Sequence, residues 1–508
     1  MHPYPAREFQ NSRNKFEAVV RLLAGEECAA LDHAEVERRL QTEGHEVLRC
    51  LYQDHLDLRA EQEEVPPKPV RGADEEARTE VRPSARPLGS LFGTVVVRRR
   101  VLVKHGVAGG LHPLDAYLNL PKGKYSHGVQ REVAWGVAQC SYDAAVENIR
   151  RTTGTRIAKR QAEELVLNFA TDFQSFYLDQ PRETDTAAQL LVMSFDGAGV
   201  VVRPEAMRTE TKKKARKSRK KTAAETASDV GTPSIEPHRK RMAEVAAVYS
   251  LEVVSRLPED VMQELRRNAP PKKRPKAKNK RVWASLERSI FDVVEAGFYE
   301  ALQRDEEYKR RWVALVDANA DQLDAIERMS QVCGKEVTIV VDLIHVLGYL
   351  WKAGKALHTD ATPSVIEAWV TKHADQILRG EVTVVAAAIR RSATQRNLRG
   401  KRREAVDKCV TYLRNNKKYL RYDEYLRDGL PIATGVIEGA CRSLVQDRMD
   451  ITGARWGLAG GEAVLKVRSL RASGDFEEYV SYHERRELER NHLNRYAATE
   501  LVGLRKAA

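Results

Sequence analysis

The sequence has few cysteines, and they are widely scattered. A structural zinc site or a disulfide framework needs cysteines at short, regular spacings. No C-x-x-C pair occurs, so we expect neither feature in the fold. The 508 residues contain six cysteines, which are Cys28, Cys50, Cys140, Cys333, Cys409 and Cys441.

Long apolar segments are missing as well. The first residues, MHPYPAREFQ, lead into polar sequence without the apolar core of a signal peptide. The longest apolar run, near residues 337–351, contains Asp342 and His345 and is shorter than the roughly 20 residues that span a bilayer. We therefore expect no membrane partner and a reducing, intracellular compartment.

Acidic residues are too few to balance the basic ones. Lys and Arg number 85 against 72 Asp and Glu, which gives a net charge of +13 and favours a polyanionic partner. The excess lies in two runs without any acid, with 8 basic residues in 212–221 and 7 in 272–281. We interpret these runs as solvated loops or as loops that contact phosphates, with a targeting signal ranked last. The candidate contacts are Lys212, Lys213, Lys214, Arg216, Lys217, Lys272, Lys273 and Arg274.

Sequence periodicity divides the chain into six segments. A helical region, a charged Pro-rich linker and a segment with a small hairpin and helices come first. An α/β core with a mixed sheet and two basic insertions follows, and then a helical insertion and a final helical segment. In chain order the segments are 1–65, 66–90, 91–185, 186–345, 346–430 and 431–508, with the hairpin at 91–104 and the basic insertions at 205–240 and 268–282.

Two helices joined by a short turn are predicted in the third segment. The turn TTGTR, with Gly154 in it, joins helices at 142–151 and 158–169, which follow another helix at 128–140. This pattern matches a helix-turn-helix, whose second helix enters the major groove of DNA. Helical hairpins with a Gly turn are common, so the pattern alone is a weak indication. The candidate DNA contacts are Arg156, Lys159 and Arg160.

Short apolar strands begin at residue 189, and three of them end at an aspartate. The first ends at Asp196 and is predicted to form a hairpin with the second. Two later strands end at Asp317 and Asp342. In chain order, the predicted elements are strands at 189–195, 199–204 and 242–254, a helix at 282–303, a strand at 312–316, a helix at 321–330 and a strand at 336–341.

Helices dominate the rest of the chain. The last of those predicted, at 437–447, opens with Glu438 after the turn ATG. The helices that separate it from the strands are predicted at 345–357, 364–379, 384–394 and 403–415.

Three of these acids occupy positions that suit metal-assisted phosphoryl transfer. That chemistry uses carboxylates that converge on two Mg²⁺ ions, for which Mn²⁺ can substitute. Asp196 and Asp317 follow strands that a sheet brings together, and Glu438 can place a third carboxylate beside them. Taken singly, such an Asp starts a turn and such a Glu complements a helix dipole. Taken together, the three indicate catalysis and metal binding.

Five segments carry a resemblance to a known family. They are SFDG (194–197), VDANADQLDAI (316–326), VVDLIHVLGYLWKA (340–353), GVIEGACRSLVQDRMDITGARW (435–456) and AVLKVRSLRASGDFEEY (463–479). Together they resemble ISKra-type insertion-sequence transposases and, more distantly, Mutator-like elements. The resemblance covers residues from about 91 to the C-terminus. It implies a ribonuclease-H-like catalytic domain with a helical insertion, two Mg²⁺ ions, and the cutting and joining of DNA ends by a DDE transposase.

Within this resemblance, the roles of three further residues stay open. The second carboxylate is Asp317 or Asp342. In Mutator-like elements a motif of Cys or Asp, two residues and His follows the fifth strand, and Asp342 with His345 matches it, which favours Asp317 as the ligand. His345 would orient a nucleophile or leaving group, or it is a core residue. Trp456 would stack on an unpaired base, or it packs beneath the final helices.

The resemblance also implies partners and a location. We expect double-stranded DNA, both element ends and target, and a homodimer or larger homo-oligomer in the cytoplasm, associated with the nucleoid. One alternative is a ribonuclease-H-like nuclease or resolvase that cuts without joining. Another is a domesticated DNA-binding protein without catalysis, which the presence of all three carboxylates disfavours.

Overall fold

The chain folds into two compact units, Met1–Asp179 with Asp475–Ala508 and Gln180–Gly474. Of the described residues, 59% are helical, and the fold includes a five-stranded mixed sheet. Within the described ranges, no helix combines the length and the apolar character that crossing a membrane requires. The computed structural model describes residues 9–64, 68–180, 190–209, 212–213, 240–266, 275–433 and 435–498.

The first unit combines helices with a long antiparallel hairpin. Strands β1 (Val70–Arg71) and β2 (Ala77–Arg78) form a short pair, and β3 (Glu80–Ser90) and β4 (Gly93–Val103) form the hairpin. Leu88, Val95 and Val97 of the hairpin belong to one buried cluster with Leu56. The helices of this unit are Gln10–Ala24, Glu26–Ala29, His33–Glu61, Pro113–Tyr117, His127–Gln139, Tyr142–Thr153, Lys159–Phe169, Phe173–Asp179 and Phe476–Asn491, with a 3₁₀ turn at Leu493–Arg495.

The linker and the hairpin predicted for this unit are wrong in detail. The predicted linker, 66–90, contains β3, and the predicted hairpin, 91–104, is the single strand β4 that pairs with it. Pro83 and Pro87 fit into β3 because a two-stranded sheet leaves each strand with an unpaired edge. The Pro-rich composition therefore indicates an edge strand here.

The three helices predicted before residue 170 are present. Ser126 and Ser141 cap the first two, since each hydroxyl accepts a hydrogen bond from a backbone N–H of the first turn. Gly154 ends the second helix with φ 71°, a left-handed conformation that favours glycine. Gly154 therefore sets the turn between the second and third helices, while the two serines fix where the first and second helices begin.

The second unit is built on a mixed sheet. Its strands are β5 (Leu190–Val201), β6 (Lys240–Leu251), β7 (Lys278–Ser285), β8 (Arg311–Val316) and β9 (Val337–Val341). The order across the sheet is β7–β6–β5–β8–β9. The β5–β6 and β6–β7 pairs are antiparallel, whereas β5, β8 and β9 run parallel. Most residues of β5, β6 and β8 are buried, so both faces of the sheet are covered.

Strand β5 is one continuous strand of 12 residues, so the predicted hairpin of 189–195 with 199–204 is wrong. Gly197 and Gly199 lie inside it and face crowded neighbours. A Cβ on Gly197 would come within 2.9 Å of Cε of Met242, and one on Gly199 within 3.1 Å of Cδ of Lys240. The glycines therefore make room for side chains of β6 and do not form a turn.

Strand β7 lies where a basic loop and the start of a helix were predicted. The helix predicted at 282–303 begins only at Ile290, after the capping residue Ser289. Arg281 of β7 is buried and pairs with the buried Glu300, which also accepts a hydrogen bond from Nε of Arg304 at 2.8 Å. Because Glu300 neutralises Arg281, the end of the basic run belongs to the core.

Helices make up the rest of the second unit, and those predicted after residue 320 are present with ends shifted by a few residues. The helix predicted at 437–447 widens into a π turn at Cys441–Gln446. The helices are Pro258–Arg266, Ile290–Arg304, Ala320–Cys333, Leu343–Leu357, Pro363–Leu378, Val382–Gln395, Gly400–Asn415, Tyr422–Arg427, Gly435–Ala440, Asp447–Met449 and Leu458–Ser473, with 3₁₀ turns at Pro204–Ala206, Lys417–Tyr419 and Ile451–Gly453.

Candidate active site

Three aspartates lie level with one another across the parallel part of the sheet. The register pairs Ser194 of β5 with Leu315 of β8, and β8 and β9 are paired up to their last residues. Continuing both registers brings Asp196, Asp317 and Asp342 into one row. Neighbouring strands are about 4.8 Å apart, so the three carboxylates start from adjacent positions.

The prediction that the first strand ends at Asp196 is wrong. Strand β5 continues to Val201 and remains paired with β6 over that distance. Strands β8 and β9 do end directly before Asp317 and Asp342, as predicted. The longer strands β5 and β6 therefore extend past the row of aspartates.

Glu438 reaches the same place from the helix Gly435–Ala440, where it is exposed. The helix then widens into the π turn, a feature that often occurs at functional sites. In that turn the thiol of Cys441 donates a hydrogen bond to Oδ2 of Asp196 at 3.3 Å. This bond ties the segment that carries Glu438 to the strand that carries Asp196.

A cavity of about 310 Å³ collects these carboxylates. Its volume is at the lower end of the range of roughly 300–1,000 Å³ for ligand pockets. Asp196 and Glu438 line the cavity, and so do Asp317 and Asp342, the two candidates for the second carboxylate. The lining residues are Phe195, Asp196, Asp317, Asp342, Ile344, His345, Gly348, Tyr349, Lys352, Ile437 and Glu438.

Burial and mutual repulsion disfavour the charged forms of two of these acids. Burial raises the pKa of Asp196 above its usual value, and the charge of Asp317 raises it further. The pKa of Glu438 is also raised, by burial first and then by Asp342 and Asp196. A bound cation would relieve this repulsion, since an opposite charge favours the ionised carboxylates.

The two candidates for the second carboxylate are held differently. Asp342 is 3% exposed, and its carboxylate accepts a hydrogen bond from the backbone N–H of Ile344 at 2.5 Å as a helix cap. Asp317 is half-buried, and Ala318 after it has φ 67°. This left-handed conformation costs a residue with a Cβ about 1–2 kcal/mol. Such strain is typical of functional sites, and here it lies directly after Asp317.

An aromatic wall from the helical insertion borders the carboxylates. The rings of Tyr349 and Tyr412 stack with centroids 4.1 Å apart, and His345 lies 5.7 Å from Tyr349. The hydroxyl of Tyr412 donates a hydrogen bond to the backbone carbonyl of Asp317 at 3.0 Å. His345 is exposed at the cavity, so the interpretation of it as a core residue is wrong.

The donor set suits Mg²⁺ in its chemistry, because this ion prefers carboxylate oxygens. Among the described residues, no three His, Cys, Asp or Glu side chains are grouped closely enough to hold a metal ion as they stand. Glu438 is exposed and Asp317 half-buried, so both side chains have room to turn. The carboxylates therefore fit the ion but must turn to form a complete ligand set.

The candidate DNA contacts of the predicted helix-turn-helix lie on the surface of the first unit. Arg156, Lys159 and Arg160 are exposed near the start of the helix Lys159–Phe169. Lys159 pairs with Asp143 at 2.7 Å, and Arg160 pairs with a glutamate of its own helix at 3.4 Å. Exposed ion pairs of this kind contribute little to stability, so these cations can exchange their partners for phosphates.

Most candidates in the two basic runs lie outside the described residues. Of those described, Lys212 donates a hydrogen bond from Nζ to the carbonyl of Glu205 at 3.1 Å, and Lys213 is exposed. The candidates outside the described residues are Lys214, Arg216, Lys217, Lys272, Lys273 and Arg274.

Trp456 packs inside the second unit. Its side chain is 7% exposed, its Nε1 donates a hydrogen bond to the carbonyl of Met449 at 2.9 Å, and the guanidinium of Arg448 lies 4.8 Å from the ring centroid. Stacking on a base requires an exposed ring. The structure thus favours the packing interpretation of this residue.

Two residues close to the carboxylates, Cys441 and Glu244, were not predicted from the sequence. Cys441 lies three residues after Glu438, and helical spacing could have placed both on one face. Glu244 of β6 pairs with Gly197, and burial and the charge of Asp196 both raise its pKa. Its position depends on the β5–β6 register, which the predicted hairpin had excluded.

No protein-family model matches the chain, and no curated protein matches it.

Proposed function

We propose that the chain is a DNA transposase of the acidic-triad type, with a ribonuclease-H-like catalytic domain in its second unit. The observation that carries this proposal is the row of aspartates, one within β5 and two directly after the adjacent strands β8 and β9, with Glu438 at the same cavity. The sheet order, with two antiparallel strands beside three parallel ones, supports the proposed fold. The ISKra-type resemblance of the same segments supports the reaction class.

We assign the metal ligands to Asp196, Asp317 and Glu438, with Asp342 as the alternative to Asp317. Asp196 and Asp317 are neighbours in the sheet. Both candidates accept a backbone N–H, Asp317 from Asn319 at 3.2 Å and Asp342 from Ile344 at 2.5 Å, but Asp342 is the more deeply buried of the two. When bound, two Mg²⁺ ions would activate the attacking oxygen and stabilise the leaving oxygen. The ligand assignment is the same if Mn²⁺ replaces Mg²⁺.

Residues of the chain would orient the DNA around these ligands. His345 and Lys352 line the cavity on the exposed side and can donate hydrogen bonds to phosphate oxygens. Tyr412 fixes the backbone of Asp317 through its hydroxyl, and its ring supports Tyr349.

The proposal includes DNA and a second copy of the chain as partners. The first unit would bind element ends through the helix that carries Lys159 and Arg160, and the basic runs would contact the DNA backbone. Symmetric cutting of two ends requires at least two catalytic domains, so we propose a homodimer or a larger homo-oligomer.

A strand-joining assay tests the proposal. A duplex that carries the DNA flanking the coding region, with a free 3′-hydroxyl, is incubated with a supercoiled plasmid, Mg²⁺ and the full chain. We expect joined products with the wild type and none with Asp196→Asn. Nicked plasmid without joining would favour a nuclease or resolvase. No metal-dependent product on any DNA would overturn the catalytic proposal.

A further inference from the structure

A second cavity, of about 480 Å³, lies in the helical part of the second unit. It is bordered by the end of the helix Leu343–Leu357 and by the corner between the helices Val382–Gln395 and Gly400–Asn415. It shares no lining residue with the carboxylate cavity. Its polar wall comes mainly from His358, Asp360, Arg396, Asn397, Arg399 and Arg402.

Two of the arginines in this wall are anchored to the backbone. Arg396 donates from Nη1 to the carbonyl of Leu357 at 3.0 Å, and Arg402 donates from Nε to the carbonyl of Ala356 at 3.0 Å. Both residues remain exposed, and a guanidinium has five N–H donors, so each keeps donors for another partner. These hydrogen bonds already restrict the two side chains. They would therefore lose less conformational entropy when an anion binds.

The charge around the cavity is strongly positive. Residues 390–403, RRSATQRNLRGKRR, contain 7 basic residues and no acid. Asp360 is the acid in the wall, against three arginines. The pKa of His358 is lowered, by burial first and then by the charge of Arg396, which agrees with a positive local potential.

The wall suits a phosphate better than a nucleoside. Arginine binds phosphate oxygens in a bidentate manner, and three arginines with Asn397 offer many donors in one place. Base binding would need an aromatic face, and neither Phe, Tyr nor Trp is among the residues that line this cavity in the described part of the chain.

We propose that this cavity, lined by Arg396, Arg399 and Arg402, binds phosphate groups of the DNA backbone away from the carboxylate cavity. The proposal rests on the proposed function, because it takes DNA as the source of the phosphate. The helical insertion would then hold the DNA by its backbone, without reading its sequence. Free phosphate is the other source of the same chemistry.

The test is a binding measurement with the full chain in a buffer that contains EDTA, so that no cleavage occurs. Fluorescence anisotropy with a labelled duplex is recorded at several salt concentrations for the wild type and for Arg399→Gln/Arg402→Gln. Lys401→Gln is the matched control, since Lys401 belongs to the same basic stretch but does not line the cavity. Circular dichroism and Tm establish that each variant is folded, and Arg399→Gln alone serves if the double variant is not.

We expect the double variant to bind the duplex about tenfold more weakly, and Lys401→Gln less than about twofold more weakly. The slope of log K against log salt should fall by about 0.9 for each phosphate that the variant no longer neutralises. Unchanged affinity and slope would overturn the proposal. A second outcome would also overturn the proposal. In it, the double variant no longer binds inorganic phosphate titrated alone, but it binds the duplex as tightly as the wild type does. If the chain fails to join DNA but this arginine-dependent binding persists, only the catalytic proposal is rejected.

Discussion

At the scale of single residues, the carboxylate cavity brings together acids whose ionised forms are disfavoured by burial. Asp196 and Glu438 both have raised pKa values, by burial first and then by the charges of neighbouring aspartates in the row. A folded chain keeps such an arrangement at a cost to its stability, so a compensating ligand is expected. The site should therefore be less stable without a cation than with one.

We expect Asp196→Asn to stabilise the metal-free chain at neutral pH. Because the folded-state pKa of Asp196 is raised, its ionised form destabilises the fold fully above that pKa, and the effect vanishes below the unfolded value of about 3.9. We expect a Tm higher by about 1–2 °C at pH 7 in EDTA, and a smaller difference near pH 4. Scanning calorimetry at both pH values measures it.

The control for this comparison is Asp324→Asn. Asp324 is an exposed acid that pairs with Arg328 at 2.9 Å, so its replacement should lower Tm slightly or leave it unchanged. A Tm for Asp196→Asn that is equal to or below that of the wild type at pH 7 would refute the electrostatic argument. Added Mg²⁺ should raise Tm for the wild type more than for Asp196→Asn.

The choice between Asp317 and Asp342 gives a second prediction. Asp317→Asn should reduce strand cleavage by at least about 100-fold, because removing a metal ligand costs several kcal/mol of transition-state stabilisation. Binding of end DNA should stay within about twofold of the wild type. Gel assays of cleavage and binding with matched Asp342→Asn samples decide the assignment. If Asp317→Asn still cleaves and Asp342→Asn does not, Asp342 is the ligand.

At the scale of elements, the π turn connects the third carboxylate with the first. The thiol of Cys441 in this turn donates to Asp196, while Glu438 lies one turn earlier on the same helix. A shift of this helix would therefore move Glu438 and remove the hydrogen bond to Asp196 together. Cys441 is a positioning residue in this arrangement.

Replacement of Cys441 tests this coupling. Cys441→Ser keeps a donor and should retain cleavage within about threefold, whereas Cys441→Val removes it and should lower cleavage about tenfold. Without the donor, the pKa of Asp196 rises further, so the acidic limb of the pH–rate profile should move to higher pH for Cys441→Val. The pH–rate profiles of both variants measure this. Identical profiles for the two variants would contradict the role of the thiol.

Elements with a simple apolar pattern could be predicted from the sequence. Strands β8 and β9 and the helices after them are continuous apolar or amphipathic segments, and their predicted bounds agree closely with the structure. The structure places the two aspartates that follow these strands next to each other. Their closeness follows from parallel strand pairing, which brings strand ends to one edge of the sheet.

Elements that depend on partners distant in sequence could not be predicted. Gly197 and Gly199 have the composition of a turn, but in β5 they make room for side chains of β6. Strand β7 has the composition of a basic loop, and the buried Glu300 pairs with Arg281 in the core. In both cases the deciding neighbour is supplied by tertiary structure.

At the scale of the whole molecule, positive charge is spread over several separate surfaces. Two basic runs account for the net charge of +13, yet residues 390–403 form a further acid-free stretch that is ordered on two helices. The exposed cations before residue 161 belong to the first unit, and the carboxylate cavity belongs to the second. A chain built in this way would contact the DNA backbone at several points and act on it at one.

The carboxylate cavity is proposed as a divalent metal site, and Mn²⁺ binding measured by electron paramagnetic resonance tests this assignment without any DNA. The wild type should bind up to two Mn²⁺ ions, and Mg²⁺ should compete for them. Asp196→Asn should lose this binding, whereas Asp324→Asn should retain it. Equal Mn²⁺ binding by the wild type and Asp196→Asn would contradict the account.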